Sequence, residues 1–294
     1  MGGSNMPIIA LFLLSILWGS TFYFTKLLLP DFHPVSIVFY RCLFGAMTLL
    51  PFYLTKKGKG KFTWDKVPFL LGIPLLSAGI PWILMSISLQ NLDTTISAVL
   101  NATGPIFGVL ITIFLLRERV KKPAVISVIV GFTGIFIAFA IGSAETKSFQ
   151  IGSAIVLLLA VSFYALSSVL TGKFLTMYSV VTISLCSMTA GILFSGPIML
   201  AVDANSLQGF TDSQNVYWFL LLGGVNSGVG NLLFYYIVKS GGAIFALSIT
   251  YLMPITTILL GYFLLHEPVG AGTFIALVFV LYSVYLSKRK GVAD

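Results

Sequence analysis

Residues 105–120 read PIFGVLITIFLLRERV and residues 254–269 read PITTILLGYFLLHEPV. At an offset of 149 residues, Pro105-Ile106 falls on Pro254-Ile255, Leu110 on Leu259, Phe114-Leu115-Leu116 on Phe263-Leu264-Leu265, Glu118 on Glu267 and Val120 on Val269, eight agreements in sixteen positions. Leucine-rich helices match by chance at a few positions, but both stretches also keep the Pro-to-Glu spacing at 13. We read the chain as an internal duplication, with residues 6–141 as the first copy and 151–287 as the second.

Each copy is dominated by apolar runs. The 294 residues are 57% hydrophobic and only 9% charged, against roughly 25% charged in an ordinary soluble domain. Runs of about 20 apolar residues each span a bilayer as a helix. Ten fit, near 6–28, 34–55, 66–89, 94–115, 121–141, 151–171, 179–200, 214–238, 243–264 and 270–287. That leaves no room for a separate soluble catalytic domain. The expected fold is all-α and integral to the membrane.

The basic residues fix an orientation. Lys56, Lys57, Lys59, Lys61 and Lys66, then Arg117, Arg119, Lys121 and Lys122, then Lys173, Lys239, Lys288, Arg289 and Lys290 all fall on one side if there are ten spans. The opposite loops hold only Lys147, while Lys26 and Arg41 lie inside spans. By the positive-inside rule both termini are cytoplasmic, and 288–294 is a basic cytoplasmic tail. The net charge of +8 is thus explained by topology rather than by nucleic-acid binding. Five spans per copy is an odd number, so the copies are inverted, an arrangement that places a solute site near the midplane between them. Residues 1–5 read as a cloning remnant before Met6, and the first span as a retained helix rather than a signal peptide. Cys42 and Cys186 lie within spans and read as small core residues, with no disulfide expected.

Trp18-Gly19-Ser20 with Lys26, Pro34 followed by Arg41, Ala98…Pro105…Glu118 and its echo Pro254…Glu267 resemble the drug/metabolite transporter superfamily, specifically its EamA-type ten-helix exporters. The resemblance covers essentially the whole chain. It implies a basket of helices around a central cavity, in the bacterial cytoplasmic membrane, exporting amino acids or related neutral or zwitterionic metabolites by alternating access. Efflux of cationic drugs is the alternative, and a membrane-embedded transferase a more distant one, since acid–base chemistry needs buried His, Asp or Glu.

Polar side chains within spans face a cavity or another helix. Thr94, Ala98, Asn101, Pro105, Gly108 and Thr112 share one face of the fourth span, and Ala243, Leu247, Thr250, Pro254, Thr257 and Gly261 form the matching face of the ninth. Both faces suit close packing, with Gly104-x-x-x-Gly108 and Gly224-x-x-x-Gly228 as small-residue contacts, or cavity lining. Arg41, about 10 Å into its span, holds a substrate carboxylate, snorkels to the outer interface, or pairs with helix carbonyls; Lys26 is expected to snorkel. Trp18, Trp82, Tyr164, Tyr235 and Tyr251 suit an apolar cavity with polar tips, and Asn101 and Asn231 add amides. These eight residues, with Arg41 among them, are the candidate substrate-binding set, and Pro105 and Pro254 are candidate hinges. All nine Asp and Glu fall in loops or at span ends, so no buried carboxylate is expected; Glu118 and Glu267 are expected to cap helices or pair with loop cations such as Arg119. His33 and His266 lie apart and suggest no metal site, and no P-loop is present for ATP. The expected partners are a small-molecule substrate and the lipid bilayer, with no cofactor and no obligate protein partner.

Overall fold

The computed structural model describes residues 6–55, 67–118, 120, 122–142 and 150–267, with 274, 275, 278, 279 and 282 as isolated positions. The expected tenth span, the basic tail, the leader at 1–5, Lys147, Arg119 and the lysines at 56–66 lie outside these residues, apart from those five positions. Among the described residues every regular element is helical.

Apolar length sets the elements. Helices α1 (Met6–Leu28) and α2 (Pro34–Thr55) coincide with the first two expected spans. The third and fourth spans are each broken in two, α3 (Val67–Ala78) with α4 (Ile80–Leu89), and α5 (Thr94–Asn101) with α6 (Gly104–Phe114). Then follow α7 (Lys122–Gly142), α8 (Ile151–Phe174) and α9 (Val180–Val202). The eighth span is α10 (Ser213–Phe219), a π-helical segment Leu220–Val229, and α11 (Gly230–Gly241). The ninth is α12 (Ala243–Leu247), a 3-10 turn Ser248–Tyr251, and α13 (Met253–Leu264). Eight of these stretches are long and apolar enough to cross a membrane.

The breaks divide the expected spans at 66–89, 94–115, 214–238 and 243–264, three of them at prolines that interrupt an apolar run. Proline has no N–H to donate and its ring displaces the carbonyl four residues back. Pro81 does this at the start of α4, after Gly79; Pro105 at the start of α6; and Pro254 at the start of α13. The two expected hinge prolines therefore sit at matching interruptions of the fourth and ninth spans. In the eighth span the π-helical turns shift the hydrogen-bond register with no proline involved.

Large apolar side chains such as Phe12, Ile16, Leu50, Phe136 and Leu193 point outward and are exposed, while hydroxyls and amides collect inside. Many interior hydroxyls donate to the carbonyl three or four residues back, as Ser15 does to Phe12, Ser77 to Pro74 and Ser195 to Gly191. In hydrocarbon no water would satisfy them otherwise. Helix α2 packs on α9 and on the π-helical segment, α4 on α8, and α1 on α13, so elements from the two halves of the chain alternate around one interior. Cys42 is buried and Cys186 half-buried, and both are free thiols.

Candidate functional site

Close backbone approach builds one wall of the interior. A side chain at Gly223 would stand 2.8 Å from the Arg41 carbonyl and 2.6 Å from Phe44 Cβ, and one at Gly228 would stand 3.2 Å from the Gly45 carbonyl. Glycine alone lets α2 lie this close to the π-helical segment. The approach delivers Ser227 to Arg41, whose Nε–H donates to Ser227 Oγ. Ser227 Oγ–H in turn donates at 2.7 Å to the carbonyl of Leu222, five residues back, a bond that follows the π-helical register. In the same segment the Asn226 carbonyl accepts from Trp18 Nε1 at 2.9 Å, and the Asn226 amide donates to Ser20 Oγ.

Arg41 is only 3% exposed. Its guanidinium carbon lies 3.6 Å from the centre of the Trp82 ring, well within the ~6 Å reach of a cation–π contact. Among the described residues no Asp or Glu forms an ion pair with it; the ion pair found there joins Lys173 to Glu118 at 2.8 Å. Of the three sequence expectations for Arg41, snorkelling and helix-carbonyl pairing are thus replaced by stacking on an aromatic face and a hydroxyl contact. Lys26 also has a partner rather than only the interface: its ammonium donates to the carbonyls of Leu89 and Leu92 at 2.9 and 3.1 Å, holding the C-terminal end of α4.

An interior cavity of about 40 Å³ opens beside this pair, with Trp18, Arg41, Trp82, Asn101 and Tyr164 on its walls. Five of the eight candidate binding residues therefore meet at one place. Tyr164 sets its ring edge-on to Trp18 at 5.7 Å, and its buried hydroxyl has no hydrogen-bond partner among the described residues. The other three stand elsewhere. Asn231 donates to the Ser227 carbonyl, behind Arg41's partner. Tyr235 hydrogen-bonds Ser77 at 2.9 Å, and Tyr251 is buried against Val99 and Ala102. Met85, Leu157, Val161 and Met253 also line the cavity. An apolar residue in an apolar span carries no signal in the sequence that distinguishes it. The cavity has room for about three waters, far below the roughly 300–1,000 Å³ of a ligand pocket.

The fourth- and ninth-span stripes turn out to face each other. A side chain at Gly108 would meet Leu247 at 2.6 Å, and one at Gly104 would meet Thr250 at 3.5 Å; Asn101 and Thr250 reach the cavity from the same two faces. Packing and lining are thus divided along one stripe. Glu267 overturns the expectation that no carboxylate is buried. Although it lies beyond the end of α13, it is 8% exposed, because the chain reverses at His266, with φ of 54°, and folds the side chain onto the start of α5. Glu118 pairs with Lys173.

A model of the EamA-like transporter family matches the chain twice, over residues 5–140 and 151–289. An "uncharacterized transporter" of Archaeoglobus fulgidus is 23% identical over 281 residues, covering 94% of each protein. The "uncharacterized inner membrane transporter YedA" of Escherichia coli K12 is 24% identical over 289 residues, covering 94% of this chain and 89% of its own. A solved crystal structure shares the fold, with a TM-score of 0.73 at 14% identity over 98% of this chain and 97% of its own. With eight apolar helices suited to crossing a bilayer, these matches make the chain a multi-pass plasma-membrane transporter that belongs to the EamA-like family of the drug/metabolite transporter superfamily.

Proposed function

We propose that the chain is an alternating-access carrier that exports amino acids or related small carboxylate-bearing metabolites, with substrate held between the two halves at Arg41. The proposal takes the chain as ten spans in two inverted five-helix repeats, both termini cytoplasmic. The double family match over 5–140 and 151–289 supports the repeat, and so do the interruptions at Pro105 and Pro254, which serve as hinges.

One observation carries the substrate class: Arg41 is buried, stacked on Trp82 and bonded to a neutral hydroxyl, with no ion-pairing carboxylate among the described residues. A buried charge of this kind is unfavourable by several kcal/mol until an opposite charge joins it. A substrate carboxylate supplies that charge and takes the remaining guanidinium N–H donors. The Trp18, Trp82 and Tyr164 rings suit the apolar part of such a solute, and the unpartnered Tyr164 hydroxyl and the Asn101 amide suit its polar tip.

Counterflow into proteoliposomes loaded with a panel of unlabelled amino acids and small carboxylates tests the reading. Uptake of a labelled panel member should require the carboxylate, with its amide or ester analogue failing to exchange. Folded protein that exchanges no carboxylate, or exchanges the ester as fast as the acid, overturns it.

A further inference from the structure

The duplicated Phe-Leu-Leu-x-Glu stretches end in the same backbone shape. Arg117 and His266, 149 residues apart, are the two non-glycine residues with positive φ among the described residues, at 55° and 54°. The next residue in each copy, Glu118 or Glu267, donates its N–H to the carbonyl six residues back, Thr112 at 3.1 Å and Gly261 at 3.0 Å. Two equivalent hooks thus carry two equivalent carboxylates.

Their side chains are in opposite states. The Glu267 carboxylate accepts from Thr94 N at 3.0 Å, Thr94 Oγ1 at 2.7 Å, and Thr95 N and Oγ1 at 3.3 Å each. It occupies the cap of α5, where Asp93 makes no side-chain cap bond, and so fastens the end of the ninth span to the start of the fourth. The counterparts of Asp93, Thr94 and Thr95 at the 149-residue offset are Gly242, Ala243 and Ile244. All three line a cavity of about 400 Å³ that separates them from Glu118. Glu118 turns instead to Lys173, with its side chain 52% exposed. One end of the fourth–ninth span pair is shut by its carboxylate and the other stands open. Between the open end and the candidate substrate cavity, Leu247 lies against Gly108.

We propose that Glu267 and Glu118 are the paired gate residues of the transport cycle. Glu267 held by Thr94 and Thr95 closes the outer end, and Glu118, released by Lys173 and drawn onto Gly242–Ile244, closes the inner end in the opposite state. The inference rests on the carrier reading and on its orientation. The two gates differ in strength, because Ala243 and Ile244 lack the hydroxyls that Thr94 and Thr95 supply. The inner gate therefore closes less firmly, and a protein without substrate rests with its outer end shut.

The test reads access to the cavity and needs no substrate. In a Cys42→Ala, Cys186→Ala background, Met85→Cys places a thiol on the cavity wall, and a membrane-impermeant maleimide is applied to right-side-out and to inside-out vesicles. With Glu267→Gln, labelling from the outer face should rise roughly tenfold, since charge-assisted bonds are lost and the populations shift, while labelling from the inner face falls. Thr95→Ala, a milder change that carries the test where Glu267→Gln is not recovered in membranes, should move both rates in the same directions by a smaller factor. Glu118→Ala should leave outer labelling at or below the parent rate. Outer labelling unchanged in both Glu267→Gln and Thr95→Ala, or rising equally from both faces as in a loosened fold, overturns the proposal. Failure of carboxylate counterflow with these labelling changes intact would instead overturn the substrate reading.

Discussion

Arg41 makes the sharpest demand on its surroundings, because stacking on Trp82 while bonding Ser227 uses the planar guanidinium in two ways at once. An ammonium has neither the flat face nor the fork. Arg41→Lys should therefore keep the charge and the fold yet raise the KM for a carboxylate substrate roughly tenfold, equivalent to about 1.4 kcal/mol; an unchanged KM in a transport assay would remove Arg41 from the site. Lys26 is argued differently, from stability: Lys26→Met leaves the Leu89 and Leu92 carbonyls without their charged donor. Thermal unfolding in detergent should report a loss of about 1–3 kcal/mol. At this scale the sequence was partly legible. A charge in an apolar span announces itself, so Arg41 stood out, and Trp18, Trp82, Asn101 and Tyr164 joined it at the cavity. Tyr235 carries the same signal but spends its hydroxyl on Ser77, a partner distant in sequence that no local pattern reveals. Glu267 misled for a related reason: a carboxylate beyond a helix end reads as solvated until the reversal at His266 folds it inward.

The elements were legible in extent and less so in shape. Hydropathy marks where a segment enters and leaves hydrocarbon, which is why α1 and α2 match their expected ranges. Interruptions depend on where a helix loses its register. Proline signals three of them, whereas nothing in the residues Leu220–Val229 distinguishes π-helical turns from α-helical ones. That segment still matters, since its altered register presents the Ser227 hydroxyl to Arg41 and the Asn226 carbonyl to Trp18. Its contact with α2 depends on Gly223, where a methyl group would overlap the Arg41 carbonyl and Phe44. Gly223→Ala should lower the unfolding free energy by about 1–3 kcal/mol, as overpacking does, and reduce transport as well by moving Ser227. Gly72→Ala provides the contrast. No atom stands within 4 Å of the added methyl, so an exposed helix interior should gain about 0.5–1 kcal/mol. Equal effects at the two positions, measured by thermal shift, would show that close packing at Gly223 is not what constrains α2.

At the scale of the whole molecule, the charge pattern and the repeat make one joint demand. Membrane helices gain little from hydrophobic association with one another, since lipid tails are as apolar as their side chains, so which face of the bilayer each loop occupies is set at insertion by its basic residues. The last turn of α8 carries Lys173 and the loop after α9 carries Asp203 and Asp212, with no Lys or Arg between 174 and 238. If the copies are inverted and the termini cytoplasmic, Met177 faces the cytoplasm and Leu207 the opposite side. Both side chains are 71% exposed, so each replaced by cysteine in a background lacking Cys42 and Cys186 is open to reagent. Leu207→Cys should label with an impermeant maleimide in intact cells, and Met177→Cys only after the membrane is breached. Two residues separated by the single helix α9 must give opposite answers if that helix spans the bilayer. Labelling of Met177→Cys alone in intact cells would reverse the orientation and exchange the outer and inner roles of Glu267 and Glu118, whereas equal labelling of both would mean that α9 does not cross, and the inverted repeat would fall with it.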